Sequence, residues 1–225
     1  MDQKHIIQAL DELKAKSPQR QFSQMIDVTI KLRDLDIKKP EQKVDTFVTL
    51  PHALDKEVKI GAFVDGQLLE KARKVFSYVI LRDEFASWAK DVKKQKKLAQ
   101  ACSYFISQVE VMGLVASTFG KVLGPRGKMP NPKAGCVVPG VVPDLAPLKS
   151  KLERTIKLQT KNELAVKFSI GKQTSDAHHL LENFQTAYAA LVKALPSGED
   201  NVKTVLFKYS MGPSYELGKG LRGGN

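Results

Sequence analysis

Phe22 to Leu35 reads FSQMIDVTIKLRDL, and this stretch decides how the chain has to be organised. Ile26, Val28, Ile30 and Leu32 alternate with Asp27, Thr29, Lys31 and Arg33, so an extended backbone has one apolar and one polar face. The pattern predicts a half-buried strand, which needs neighbours. VDTFVTLP (44–51), ended by Pro51, and VKIGAFV (58–64) are two further strand candidates, the first set off by the loop Lys38-Lys39-Pro40. The remaining candidates lie near the other end of the chain. TIKLQT and ELAVKFSIG are joined at Lys161-Asn162, and NVKTVLFKYS spans 201–210 ahead of a polar tail, GKGLRGGN. Two amphipathic helices accompany them. Ile6, Ile7, Leu10 and Leu13 predict a helix over 3–16, stopped by Ser17-Pro18. SDAHHLLENFQTAYAALVKAL predicts a second, capped by Ser175 or Asp176.

Between these two groups of strands the character changes at Asp65-Gly66. LLEKARKVF reads as a helix, YVIL as a short buried strand, DEFASWAKDVKKQKKLAQA as helices and YFIS as another strand, before DLAPLKSKLERTI closes the section as a helix. Strands alternating with helices imply a parallel sheet. The expected fold is therefore an α+β first domain built from both chain ends, 1–65 plus 153–225, with an α/β second domain inserted at 66–152. The connection is a two-stranded hinge near 65–67 and 150–156.

With 225 residues, 42% hydrophobic and 27% charged, the chain buries a real core and is not disordered as a whole. Lys and Arg number 36 against 24 Asp and Glu, a net charge of +12, which points to a polyanion: nucleic acid first, an acidic membrane surface second. The charge is uneven. Residues 1–65 carry 11 basic and 11 acidic residues, 66–152 carry 15 and 6, and 153–225 carry 10 and 7. The densest run is Lys90, Lys93, Lys94, Lys96 and Lys97, either a solvated helix face or an RNA-facing patch. Two cysteines, Cys102 and Cys136, make neither a disulfide scaffold nor a zinc spacing and suit a reducing compartment. The first residues lack the pattern of a secretion signal, and the longest nearly apolar stretch, Val111 to Gly120, is too short to cross a bilayer.

Gly120 to Cys136 reads GKVLGPRGKMPNPKAGC, whose prolines and glycines after 124 predict an extended loop with fixed turns. It is not a Walker loop, because Gly127-Lys128 is followed by Met129 and Val122 stands five residues before Gly127. No GxGxxG spacing is present either. Two readings of its charges stay open. Lys121, Arg126, Lys128 and Lys133 project from a stiff backbone to meet phosphates, or the loop closes the sheet and the charges are merely solvated.

LGPRGKMPNPK, from Leu123 to Lys133, resembles the hallmark segment of the ribosomal protein L-one family, and QFSQMIDVTIKL, VTLPH (48–52) and YSMGPSYEL follow in the family's order across nearly the whole chain. Lys128 and the short N-terminus look more archaeal than bacterial. The resemblance implies a first domain formed by both chain ends, a Rossmann-like second domain on a hinge, and a structural rather than enzymatic role. The implied partners are large-subunit rRNA at the mobile stalk beside the tRNA exit site, deacylated tRNA, and the protein's own mRNA, whose translation it would repress. It also implies a cytoplasmic, ribosome-associated protein that is monomeric off the ribosome, with no cofactor, no metal and no membrane.

Carried over by position, the resemblance implies an RNA-binding surface of Phe22, Met25 and Asp27 on one side and Lys167, Ser169, Ser210, Met211 and Gly212 on the other. Asp27 stands where a glutamate is usual, and Met25 where bacterial members have threonine. A carboxylate accepts from a ribose 2′-OH or a base amino group, Met211 packs on a sugar or base, and Gly212 lets backbone approach RNA. On the residues alone, Phe22 and Met211 read as core and Asp27 as an exposed strand position; the resemblance reverses that weighting. The competing class is a nucleotide-binding enzyme using the middle section. It has no intact phosphate loop, and His5, His52, His178 and His179 fall into no metal or catalytic spacing in sequence.

Overall fold

The computed structural model describes residues 3–18, 20–36, 39, 42–140, 144–217 and 220–221, and they form two compact units. One joins 1–56 to 154–225; the other is the uninterrupted stretch 57–153. In chain order the elements are α1 (Gln3–Lys16), β1 (Met25–Leu32), β2 (Asp45–Thr49), β3 (Ile60–Val64), α2 (Leu69–Val75), β4 (Tyr78–Leu81), α3 (Phe85–Lys90), α4 (Val92–Ala101) and β5 (Tyr104–Gln108). There follow α5 (Met112–Leu123), β6 (Val137–Val138), α6 (Ala146–Glu153), β7 (Thr155–Gln159), β8 (Ala165–Lys172), α7 (Ala177–Ala194), β9 (Val202–Tyr209), β10 (Ser214–Glu216) and β11 (Gly220–Leu221). Most of the Lys38-Lys39-Pro40 loop and of the polar tail lies outside the described residues.

In the unit built from both ends, β1 is flanked by β8 and β9, antiparallel to each, in a five-stranded sheet of order β11-β10-β9-β1-β8. Ile26, Val28, Ile30 and Leu32 are all buried, in one core with Leu13 of α1, Phe184 of α7 and Phe207 of β9. Burial of side chains of this size stabilises by roughly 1.5–3 kcal/mol each. The alternation in β1 thus commits one face of the sheet to the two helices. α7 starts at Asp176, whose side chain accepts from His178 N–H at 3.3 Å, so the cap is Asp176 and not Ser175. β2 and β7 form a separate antiparallel pair.

A bulge fixes which residues of β8 meet the polar face of β1. Ile26 pairs with Gly171 but Asp27 pairs with Ser169, so Ile170 is the extra residue. Ile170 stays in the core and Ser169 stays on the open face beside Asp27. Without the extra residue, Asp27 would oppose Ile170.

The inserted unit holds a four-stranded parallel sheet of order β4-β3-β5-β6, with helices between the strands. The mixed α/β character and the parallel sheet are as expected from the sequence; the boundary is not. β3 lies between β4 and β5, so the strand at 58–64 belongs to the inserted unit and not to the end-built one. The compact units divide at 56/57 and 153/154, not at 65/66 and 152/153. Phe63 of β3 packs against Phe85, Phe105 and Phe119, which makes it the centre of the inserted core. The apolar stretch from Val111 supplies α5, whose Val115 and Phe119 are buried there. With the corrected division, 57–153 carries 16 basic and 9 acidic residues, a net +7, and the end-built unit carries 20 and 15, a net +5. The charge asymmetry is milder than the sequence division suggested.

Candidate nucleic-acid interface

The polar face of β1 is open, because both helices lie on the other side of the sheet. Register sets its rows: Asp27 lies between Ser169 of β8 and Lys208 of β9, and Thr29 between Lys167 and Leu206. Ser169 Oγ donates to Asp27 Oδ1 at 2.6 Å, and Ser210 Oγ donates to Asp27 Oδ2 at 3.3 Å. Asp27 thereby ties β1 to the two elements on either side of it. Ser210 N–H also donates to Met25 O at 3.1 Å, so the end of β9 is stitched to the start of β1.

Beyond Tyr209 the chain turns back into β10, with Gly212 N–H donating to Tyr209 O at 2.9 Å. Met211 sits at the tip of this turn, 60% exposed, and Phe22 is 52% exposed. The core reading of both residues is therefore wrong: two large apolar side chains stand in solvent. The tip is held by a residue that sequence reasoning missed. Gln24 is buried, and its Oε1 accepts from Met211 N–H at 3.1 Å while its carbonyl accepts from Gln173 N–H at 2.9 Å. Arg20, also missed, reaches the Met211 carbonyl at 3.5 Å. A glutamine ahead of a strand carries no sequence signal for this role. Lys208 could have been found from the alternation in 201–210, given the pairing with β1.

Two of the expected surface residues also have partners within the protein. A Cβ on Gly212 would lie 3.2 Å from Tyr209 Cβ and 3.5 Å from Ser17 Oγ, so the missing side chain makes room for the protein's own residues beneath the turn. Packing beneath the turn is thus one reason for a glycine here, beside any approach of a ligand from outside. Lys167 lies on the open face, but its ammonium is paired with Glu163 at 2.7 Å, which leaves less free charge than a lone lysine would give.

The basic loop of the inserted unit also divides. Lys128 does not project: its Nζ donates to Ala99 O and Cys102 O, both at 2.8 Å, and so closes the carbonyl end of α4. Arg126 folds back to Val122 O at 3.2 Å, at the end of α5. Lys121 and Lys133 are exposed. Gly127 and Gly135, at φ 64° and 74°, occupy left-handed turns that the glycines in this segment permit. Lys128 therefore fits neither alternative as stated: it neither projects nor is merely solvated, but caps the end of a helix.

In doubly wound sheets a ligand sits beyond the carboxyl ends of the two strands where the order reverses. Here those are β3 and β5, and the position is bridged by Gln108, whose Oε1 accepts from Asp65 N–H at 2.6 Å and whose amide donates to Gly140 O at 3.4 Å. Three of the histidines that looked scattered do converge. His52 Nε2 lies 2.5 Å from Glu182 Oε2, His178 Nδ1 lies 3.4 Å from Glu182 Oε1, and the His52 ring stacks on His179 at 3.9 Å. Among the described residues no group of ligands has metal-binding geometry.

The end-built unit thus presents an open β-sheet face with a hydrogen-bonded carboxylate and an exposed apolar tip. Residues 13–213 match the model of the ribosomal protein L1p/L10e family, and the chain belongs to that family. Relatives named large ribosomal subunit protein uL1 are 34% identical in Pyrococcus abyssi, over 96% of each chain, and 35% identical in Thermococcus kodakarensis, over 96% of this chain and 98% of that one. The Methanobrevibacter smithii protein of the same name is 37% identical over 92% of this chain and 96% of its own. The relatives are archaeal, as Lys128 suggested. Membership of a ribosomal-protein family sets the enzyme reading aside. Among the described residues no helix is long and apolar enough to cross a membrane.

Proposed function

We propose that this protein is a structural constituent of the large ribosomal subunit that binds large-subunit rRNA at the mobile stalk through the open sheet face of its end-built unit. That unit would be the RNA-binding domain, and the inserted unit a Rossmann-like second domain on a two-stranded hinge. The observation that carries the reading is Asp27, held by Ser169 and Ser210 beside the exposed Met211 tip. A fixed carboxylate reads ribose hydroxyls and base amino groups, and an exposed thioether covers a base or sugar; both suit a folded RNA better than a bare phosphate backbone. Family membership supports the same partner. Phe22, Met25, Lys167 and Gly212 complete the surface, Gly212 by shaping the turn.

On the same reading the protein aids the release of deacylated tRNA at the exit site and represses its own mRNA through a stalk-like structure. It works in the cytoplasm on the ribosome, and is a monomer away from it. The test is co-sedimentation with large subunits combined with chemical footprinting of their RNA. Protection of stalk RNA is the expected result; association without stalk protection would reject the reading.

A further inference from the structure

Behind the Met211 turn lies a cleft of about 450 Å³ whose lining includes Lys14, Ser17, Arg20, Thr174 and Tyr209. Lys14 and Arg20 bring two cations to it with no carboxylate among the described residues of its lining, whereas on the open face Lys167 and Lys208 share the surface with Asp27 and its serines. Ser175, also on the wall, is already committed, donating to Asp55 Oδ2 at 3.0 Å and accepting from Lys172 N–H at 3.3 Å. The Ser17 hydroxyl is not committed: it is almost inaccessible and has no hydrogen-bond partner among the described residues. A shielded hydroxyl without a partner is uncommon in a folded protein and calls for an explanation.

We propose that this cleft seats one backbone phosphate of the bound RNA, with Lys14 and Arg20 supplying charge and the exposed Thr174 hydroxyl donating a hydrogen bond, the shielded Ser17 hydroxyl joining it only when the Met211 turn shifts on binding. The proposal rests on the RNA-binding reading of the adjoining face and adds a residue set to it. The carbonyl end of α1 lies beside Ser17, and alone it would repel an anion with about half a unit of charge. Two cations outweigh that fraction, and Asp55 is turned to Ser175. Position supports the same partner. Arg20 touches the Met211 carbonyl, and Ser17 Oγ lies under Gly212, so a phosphate in the cleft is continuous with a base or sugar held by the tip. In this way the uncharged tip selects the RNA and the cleft behind it fixes the backbone register.

The test uses the full chain and a stalk-rRNA fragment, with affinity measured across a range of salt concentrations. Lys14→Gln combined with Arg20→Gln is expected to weaken binding about tenfold, equally for the stalk fragment and for one with an altered loop. The slope of log affinity against log salt should become shallower by about 0.7 to 0.9, the value of one neutralised phosphate. Lys14→Gln alone, which leaves the Arg20 contact to Met211 in place, should move the slope in the same direction. A single methylphosphonate linkage in the RNA should weaken the wild type and leave the double variant unaffected. An unchanged slope, or no linkage with that behaviour, overturns the phosphate seat; a site for free phosphate would leave every linkage silent. Met211→Asp separates the two levels. If it loses specific binding while the cleft variants bind as wild type, only the seat falls; if Met211→Asp also binds as wild type, the RNA face itself is wrong.

Discussion

Ser169 Oγ donates a 2.6 Å hydrogen bond to Asp27 Oδ1, joining strands whose residues stand 142 apart in the chain. The bond sets the plane of the Asp27 carboxylate on the open face, and both residues are only partly buried. Removing it should therefore cost binding more than stability. Ser169→Ala is expected to weaken stalk-RNA binding about fivefold and Asp27→Ala about a hundredfold, with thermal midpoints little changed. In the double variant the loss should match that of Asp27→Ala, because the serine acts through the carboxylate. Filter binding of the four proteins checks this; losses that simply add would show that the serine works independently.

The corrected boundary makes a prediction about fragments. A piece spanning 66–152 lacks β3, the strand that β4 and β5 pair with, and loses Phe63 from the centre of the aromatic core. It should stay unfolded. The piece 57–153 keeps β3 and is expected to unfold cooperatively in urea, followed by far-UV circular dichroism. If both fragments fold alike, β3 is dispensable to the inserted unit and 66–152 is an independent unit after all.

The same strand shows where the sequence was legible and where it was not. β1 was legible because four buried positions alternate with polar ones, a pattern that only a one-sided strand satisfies. β3 was legible as a strand but not as to its sheet, since hydropathy is local and pairing is not. One clue was available: all five positions of β3 are buried, and an unbroken apolar run is typical of strands covered on both faces in a parallel sheet. The bulge at Ile170 and the clasp of Gln24 on Met211 depend on partners more than a hundred residues away along the chain, beyond any periodicity. Lys128 lies in the loop that the prolines and glycines imply, but a lysine that seeks phosphate and one that caps a helix look identical in sequence.

For Lys128 the two roles separate by measurement. Its ammonium holds two carbonyl oxygens at 2.8 Å, and hydrogen bonds made by a charged donor contribute about 1.5–3 kcal/mol. Lys128→Met should lower the urea unfolding free energy by about 1–3 kcal/mol and leave RNA affinity unchanged. Lys133→Gln, at an exposed position of the same loop, should leave stability where it was. A fall in RNA affinity for Lys128→Met without loss of stability would restore the phosphate role.

The histidine cluster gives a pH dependence with a definite sign. The hydrogen bond from His52 first, and the nearby His178 and His179 charges after it, hold the Glu182 carboxyl below its usual range. A group lowered on folding adds stability above its unfolded value and loses that contribution as pH falls through the folded one. The stability difference between wild type and Glu182→Gln should thus be full above about pH 4.3, the ordinary glutamate value, and shrink at more acid pH. Thermal unfolding of both proteins from neutral to acid pH measures it. A difference that grows on acidification would mean that Glu182 is not held by His52.

Nonspecific attraction and specific recognition should come apart on different units. Lys93, Lys94, Lys96 and Lys97 are exposed on α4, where Gln95, Leu98 and Ala99 face inward and Lys94 lies 4.1 Å over the Trp88 ring. Nothing on that helix resembles the fixed carboxylate of the open face, so its lysines offer charge without selectivity. Replacing the four by glutamine should reduce binding to unrelated RNA about tenfold and flatten its salt dependence, because the slope falls by roughly 0.7 to 0.9 for every phosphate that is no longer neutralised. The preference for stalk RNA over unrelated RNA should then rise, since the competing term falls more than the specific one. Met211→Asp should do the opposite, losing the preference and keeping nonspecific binding, because the tip is exposed and its loss does not unfold the sheet. Competition binding with labelled stalk fragment and unlabelled bulk RNA reads both effects. If the lysine variant lost the preference and Met211→Asp kept it, recognition would belong to the inserted unit, and the open face of β1 would be an ordinary solvated sheet surface.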